Sequence, residues 1–384
     1  VLSNVAVALE NRAILEVSGV DAKALLQGLM TNDVSLLDEK KGRLPSISTA
    51  FLNPKGRVLG DAMVIKSPRH EAKRKPLYKL RSKVKIKDAT ALYDVLVSGV
   101  RDPWGTAESG GQEGDPSHPV AAATAVPADT GADGRTARFA DPRCAALGVR
   151  VIRPKGDAGI CSEFVWPGGD AVVPESRYNA LRMVHGVGEG SELVDSIPLE
   201  SNLDLLGSIS FTKGCYVGQE LTARTQFKGF VRKRVLPVLF PEEGAQTSAS
   251  SVRGTPRVVT AAGDTQGLLL RSWGSGGAEA TPPPKAGSKV LGRAAGDGKL
   301  GALVAVSQEY NVGLALLRLA KVLSPAPSNC GDDDRDTSGS VKPATDCRVE
   351  EEGDGNGGES RRCLLLTPSW WPVDLDQTTG KISV

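Results

Sequence analysis

Apolar residues along this chain alternate or cluster in short runs, and those runs predict a mixed helix and strand protein. Arg12 to Ser18 (RAILEVS) reads as a strand. Asp21 then caps a helix, DAKALLQGLM, that ends near Thr31 and Asn32. Pro45 to Ile65 predicts a hairpin, because Asn53-Pro54-Lys55-Gly56 puts proline and glycine in turn positions. Lys79 to Asp88 alternates basic and apolar residues. A strand there turns Val84 and Ile86 inward and Lys83, Lys85 and Lys87 outward. Pro174 to His185 predicts a helix with Tyr178, Leu181 and Val184 on one face. After Thr225 the pattern becomes all-β, with short strands at Phe230 to Phe240 and Gly267 to Ser272. The apolar segment Val312 to Val322 fits a strand or a helix, and Trp370-Trp371-Pro372 returns to packed character.

Between these elements periodicity is lost. Trp104 to Arg135 is Gly, Ala, Pro and Asp without a repeat. The resulting division is a first α+β domain at 1–103, a disordered insertion at 104–140, a second α+β segment at 141–228, and an all-β part at 229–384. The last part carries low-complexity insertions at 244–263, 275–298 and 324–362, the longest with an acidic tract at Asp332 to Asp336. Such insertions at hairpin tips cost little, because loop-closure entropy grows only logarithmically. A chain of 384 residues allows two to three domains. Hydrophobic residues at 40% and charged residues at 24% describe a soluble globular protein, and Gly 44 with Pro 24 accounts for the loop-rich stretches.

A net charge of +2 gives no electrostatic case for a nucleic-acid binder. No apolar run reaches the roughly 18 residues of a membrane helix. The start at Val1 reads as a trimmed or processed end, with any targeting leader outside the chain. The six cysteines form no C-x-x-C and no disulfide framework, and His70, His118 and His185 are too few for a zinc site, so the thiols read as reduced and intracellular.

The candidate chemistry centres on Lys213 to Thr225, KGCYVGQELTART. Cys215 follows a Lys-Gly step at the head of a helix-like segment. Gly214 opens approach, Lys213 offers charge, and a helix start favours a thiolate. In such a helix Cys215 shares a face with Gln219, and Tyr216 with Glu220. A buried structural thiol remains the alternative. Glu200, in IPLESN, follows a proline at a predicted strand end. A carboxylate there could grip an amidine-like edge such as that of a pterin through paired hydrogen bonds, although a solvated loop acid is the readier reading of the residue alone. The stretch Gly186 to Gly190 follows a helix where a dinucleotide loop needs a strand, so it is discounted. The Lys79–Lys87 strand could bind an anion, but a solvated face is the simpler reading.

Together these stretches resemble the folate-binding YgfZ type of iron–sulfur cluster assembly factor, a relative of the glycine cleavage T-protein (aminomethyltransferase). The likeness lies in LLQGLMTNDV at Leu25, FLNPKGRVLGD at Phe51, YKLRSKVKI at Tyr78, DPR at Asp141, PLESNLD at Pro198, FTKGCYVGQELTART at Phe211 and RKR at Arg232. The closing WWP resembles the mitochondrial branch. The resemblance implies an α+β fold of two α+β domains and a C-terminal β-barrel around a central cavity holding tetrahydrofolate. It implies late maturation of [4Fe-4S] proteins with A-type carriers as partners, in the mitochondrial matrix or, alternatively, a plastid stroma. Cys215 is then the signature cysteine, with Lys213, Gly214, Tyr216, Gly218, Gln219, Glu220 and Arg224 as motif neighbours. Glu200, Asn32 and Asp33 fall at folate-contacting positions, and the resemblance implies that Tyr216, Gln219, Glu220 and Arg224 contribute to cofactor binding with them. Two departures bear on chemistry. The acidic pair of the T-protein reads Gly60-Asp61, and Cys215 stands where the T-protein usually has Asp. The stretch from Pro68 to Leu77 is also short.

The expectation is therefore an assembly factor and not a turnover enzyme. It has no stably bound metal, no membrane and no nucleic acid. Cys215 meets a [2Fe-2S] or [4Fe-4S] cluster transiently, and a partner supplies the remaining ligands. The rivals are a tetrahydrofolate-dependent one-carbon transferase with Asp61 as its electrostatic or base group, and an RNA-linked module using the Lys79–Lys87 strand.

Overall fold

The computed structural model describes residues 4–38, 44–66, 84–101, 129–130, 136–156, 171–241, 247–250, 257–260, 265–267, 272–273, 282–292, 298–322, 346–350, 360–368 and 370–371. A six-stranded sheet runs in the order Ala171–Val173, Asn4–Ala8, Tyr93–Arg101, Val149–Pro154, Ala137–Ala140, Asp129–Thr130. Only the first pairing is parallel. The β-branched residues of Val149–Pro154 and Tyr93–Arg101 suit its half-buried surface.

Six further strands close a barrel in the order Lys233–Leu239, Val312–Arg318, Lys299–Val306, Lys289–Gly292, Asp346–Glu350, Ser360–Leu365. Leu364 and Leu365 pair back onto Leu239 and Val238, so no edge is left. Val312 to Val322 is strand as far as Arg318 and then one helical turn, Leu319–Val322. The barrel core is Val238, Leu303, Leu317, Val349 and their neighbours, with Trp371 packed against it.

The helix Glu175–Val184 joins the sheet to the barrel. Tyr178 and Leu181 pack with Val7, Val97 and Leu147 of the sheet side. Ala180, Met183 and Val184 pack with Val235, Leu314 and Leu364 of the barrel. The single predicted face is thus two, and Val184 belongs to the barrel side. Trp370 seals the joint, its indole N–H donating to the His185 carbonyl at 2.7 Å.

The hairpin Ser46–Leu52 and Val58–Ile65 forms as expected. Its turn is built by Asn53, whose Oδ1 accepts the amides of Lys55 at 2.9 Å and Arg57 at 3.0 Å. The early strand is shorter than read, Leu15–Ser18, and pairs with Lys85–Asp88 in a two-stranded ribbon. Ile86 does not point inward: it is 61% exposed, because no layer among the described residues covers that ribbon. The early helix is Ala22–Leu29, with Asp21 at its N-cap position but making no side-chain cap.

Several boundaries need correction. Ala137–Ala140 is strand, so the insertion at 104–140 does not run to its stated end. Asp129–Thr130 is strand as well. The three C-terminal insertions also contain strands: Thr247–Ser250 and Arg257–Thr260 in the first, Lys289–Gly292 in the second, Asp346–Glu350 and the start of Ser360–Leu365 in the third. The last two insertions supply barrel staves. The strand expected at Gly267 to Ser272 lies mostly outside the described residues, as do 67–83, which hold the short stretch and the lysines from Lys73 to Lys83. Among the described residues, no helix is long and apolar enough to cross a membrane.

Candidate functional site

Cys215 lies in irregular chain on the surface. Of the four cysteines among the described residues it alone is exposed, while Cys144, Cys347 and Cys363 are buried. The expected helix start is displaced. Gly218 is the N-cap, left-handed at φ +78, and the helix runs Gln219–Lys228. The helix thus starts four residues past the sulfur, and the Gln219 amide donates to the Tyr216 carbonyl at 3.4 Å. Cys215 and Gln219, like Tyr216 and Glu220, do not share a helical face. Gln219 instead folds back, its Oε1 accepting the Tyr216 amide at 3.0 Å.

The ammonium of Lys213 is anchored on backbone carbonyls. Its Nζ donates to the carbonyls of Gln27 at 2.7 Å, Met30 at 2.6 Å and Asn32 at 3.0 Å. Three N–H bonds thus meet three acceptors at the C-terminal end of the Ala22–Leu29 helix, where carbonyls lack helical partners and cations are favoured. Lys213 also lies 5.0 Å from the centre of the Tyr216 ring. Burial pulls its pKa down to about 8, with the charge of Asp33 acting the other way. A second strut is the Val217 amide, which donates to the Gly28 carbonyl at 3.0 Å.

On its other side the loop rests on the hairpin tip. Gly56, also left-handed at φ +78, abuts Leu221 and the Gly218 carbonyl, and a Cβ there would sit 2.6 Å from Leu221 Cβ. A Cβ on Gly218 would come to 2.4 Å from the Asn53 carbonyl oxygen. The two motifs FLNPKGR and KGCYVGQE, far apart in sequence, are thus one structural unit.

The other candidates divide. Asn32 is buried and fully used: its Nδ2 donates to Ser48 O at 2.7 Å and Gly207 O at 2.8 Å, and its Oδ1 accepts the Asp33 amide at 2.9 Å. Asp33 caps the next turn through the Ser35 amide at 2.9 Å and accepts from Gln27 Nε2 at 3.0 Å. Both stand beside Lys213. Asp61 is elsewhere, accepting the Gly190 amide at 2.8 Å. Glu220 and Arg224 are exposed on the helix. Glu200 lies in a turn and not at a strand end, half buried, its carboxylate without a partner among the described residues. Its carbonyl accepts the Val235 amide at 2.9 Å.

Sequence reading missed what holds that turn. Arg234, fully buried, forks onto Asp204 at 2.9 and 2.8 Å and reaches the Leu199 carbonyl at 2.8 Å. Asn202, at φ +62, donates to the Val235 carbonyl at 2.7 Å. Both partners of the ion pair sit in quoted motifs, PLESNLD and RKR, which was the available signal. A second buried cluster also went unread. Glu189 accepts from Arg150 at 2.8 Å, from the Tyr178 hydroxyl at 2.8 Å, and from Arg143 and Arg12. Burial alone would raise its pKa, but the charges of Arg143, Arg150, Arg182 and Arg12 hold it well below the usual carboxylate range. The stretch Gly186 to Gly190 is therefore an ionic anchor and not a nucleotide loop. Among the described residues, no group of three or more His, Cys, Asp or Glu side chains could hold a metal ion. A cleft of about 490 Å³ opens between this region and the barrel, lined by Met183, Glu192, Lys285 and Val304; no predicted site residue lines it, although Asp61 bonds Gly190 next to its wall.

The chain is 30% identical to the iron–sulfur cluster assembly factor IBA57 homolog, mitochondrial, of Mycosarcoma maydis, over 95% of this chain and 84% of that protein. The chain belongs to the IBA57 family of iron–sulfur cluster assembly factors. The IBA57 homologs of Pyricularia oryzae and Coccidioides immitis are 33% and 32% identical, over 81% and 82% of this chain and 71% of each relative. Their names also place them in the mitochondrion. No family model matches. Among solved structures, aminomethyltransferase T of the glycine cleavage system from Bartonella henselae superposes with a TM-score of 0.53 at 11% identity, over 99% of this chain and 88% of that one. At that identity the likeness is one of fold.

Proposed function

We propose that this protein is a mitochondrial accessory factor in the maturation of [4Fe-4S] proteins, and that Cys215 is the thiolate it presents. The observation that carries the reading is the exposed sulfur on a loop braced from both sides, by Lys213 and Val217 on one and by the Gly56–Gly218 contact on the other. One thiolate cannot hold a cluster, since clusters take about four. A partner, for which an A-type carrier is the natural class, supplies the other ligands, and the cluster is cargo. The mitochondrial relatives support both the role and the compartment.

Tetrahydrofolate is the second part of the reading. Glu200 fits it: a half-buried carboxylate without a partner is what the amidine-like edge of a pterin needs. Asn32 fits it less well, since its side-chain amide is engaged within the protein, while Asp33 commits one carboxylate oxygen, Oδ1, to Ser35 and Gln27. Bound folate would offer a one-carbon unit or a shape to be sensed, and the chain's own contribution is the carboxylate that orients its pterin.

Cells whose only copy carries Cys215→Ser should lose aconitase-type [4Fe-4S] activity while protein abundance stays at wild-type level. Normal activity in those cells defeats the proposal.

A further inference from the structure

An exposed aromatic and basic surface adjoins Cys215. Phe227 is 69% and Phe230 52% exposed. Phe227 stacks edge-on with Phe211, which packs in the same core cluster as Tyr216. Val217 and Leu29 extend the apolar area, since the Val217 amide is bonded to Gly28 beside Leu29. On the helix, Glu220, Arg224, Phe227 and Lys228 are exposed, and Arg232 follows. Three exposed cations, Arg224, Lys228 and Arg232, thus stand within a few residues of two bare rings, against one carboxylate, Glu220. Phenylalanines left in water cost apolar free energy, and a contiguous exposed patch of them marks a contact surface.

We infer that this surface docks an acidic protein, whose carboxylates meet Arg224, Lys228 and Arg232 around an apolar hollow that receives Phe227 and Phe230. The inference rests on the assembly-factor reading and deepens it: a sulfur that must share a cluster with another chain needs that chain seated beside it. The charge pattern selects a carboxylate-bearing partner and speeds its approach. A lipid surface fits less well. A helix lying in a bilayer interface presents a wide apolar face, and this one presents a single ring, Phe227, beside polar Gln219, Thr225 and Gln226, with Phe230 following past its end.

The test uses the full chain and an A-type carrier, with binding measured by titration calorimetry. Phe227→Ser with Phe230→Ser should weaken binding by about tenfold or more, as loss of aromatic anchors does. Arg224→Glu with Lys228→Glu should weaken it too, and wild-type affinity should fall between about 50 and 300 mM salt. Cys215→Ser should leave docking of the cluster-free carrier intact. Circular dichroism checks that each variant is folded. Wild-type affinity in both surface variants, no binding by the wild type, or Phe227-dependent binding to anionic phosphatidylserine vesicles or to a second copy of this chain in place of the carrier overturns the inference. Failure of the assembly-factor reading is separate: it shows as normal [4Fe-4S] enzyme activity in cells lacking the protein.

Discussion

Gly56 and Gly218 lie against each other, each in the left-handed region, with a Cβ on Gly56 reaching 3.0 Å from the Gly218 carbonyl oxygen and a Cβ on Gly218 reaching 3.3 Å from Gly56 Cα. Neither position tolerates a side chain, because the backbone angle and the space both exclude one. The tip of the hairpin is thereby the floor on which the cysteine loop stands.

Gly218→Ala should lower stability by about 1–3 kcal/mol from backbone strain alone. The clash with Asn53 adds to that. Thermal unfolding should show it, and cellular [4Fe-4S] activity should fall even with Cys215 in place. Gly214→Ala, with open space around its Cβ position, is the control and should leave the melting temperature unchanged.

Lys213→Met should loosen the loop by leaving the Gln27, Met30 and Asn32 carbonyls without their donor, a loss of roughly 1–3 kcal/mol. Iodoacetamide labelling, followed on the Cys215 peptide by mass spectrometry, should be faster in the variant. Labelling at the wild-type rate would show that the three carbonyl contacts do not hold the loop.

His185 is buried at the joint between sheet and barrel, with Nδ1 lacking a partner among the described residues. Burial lowers its pKa to about 4 from an ordinary 6.5. The unfolded chain therefore takes up a proton that the folded one refuses, and stability present above pH 6.5 is lost as pH falls toward 4. The slope is at most about 1.4 kcal/mol per pH unit. Urea unfolding at pH 7 and pH 5 should show wild type losing about 2 kcal/mol more than His185→Phe over that interval. Equal losses would place the titration elsewhere.

What the sequence made legible was local. Asn53-Pro54-Lys55-Gly56 announced its turn because the turn's hydrogen bonds are made by Asn53 itself. The helix Glu175–Val184 was visible from its period, but its second buried face was not, since Ala180 and Met183 read as ordinary helix formers. The staves Lys289–Gly292 and Asp346–Glu350 were hidden among polar residues. Each contributes only one or two inward side chains, Val290 in one and Cys347 with Val349 in the other, too few to establish an alternation. At the site, Cys215 was findable and its support was not. Lys213 meets residues some 180 positions earlier in the chain, and Glu189 gathers arginines from Arg12 to Arg182. Nothing in a linear pattern brings such groups together.

The shared helix has a consequence for how damage spreads. Because Glu175–Val184 gives one side to the sheet and the other to the barrel, a lobe that melts takes with it part of its neighbour's core. A harmful substitution deep in the barrel core, at Val238 or Leu317 for instance, would therefore reach the sheet through the one helix that both lobes grip.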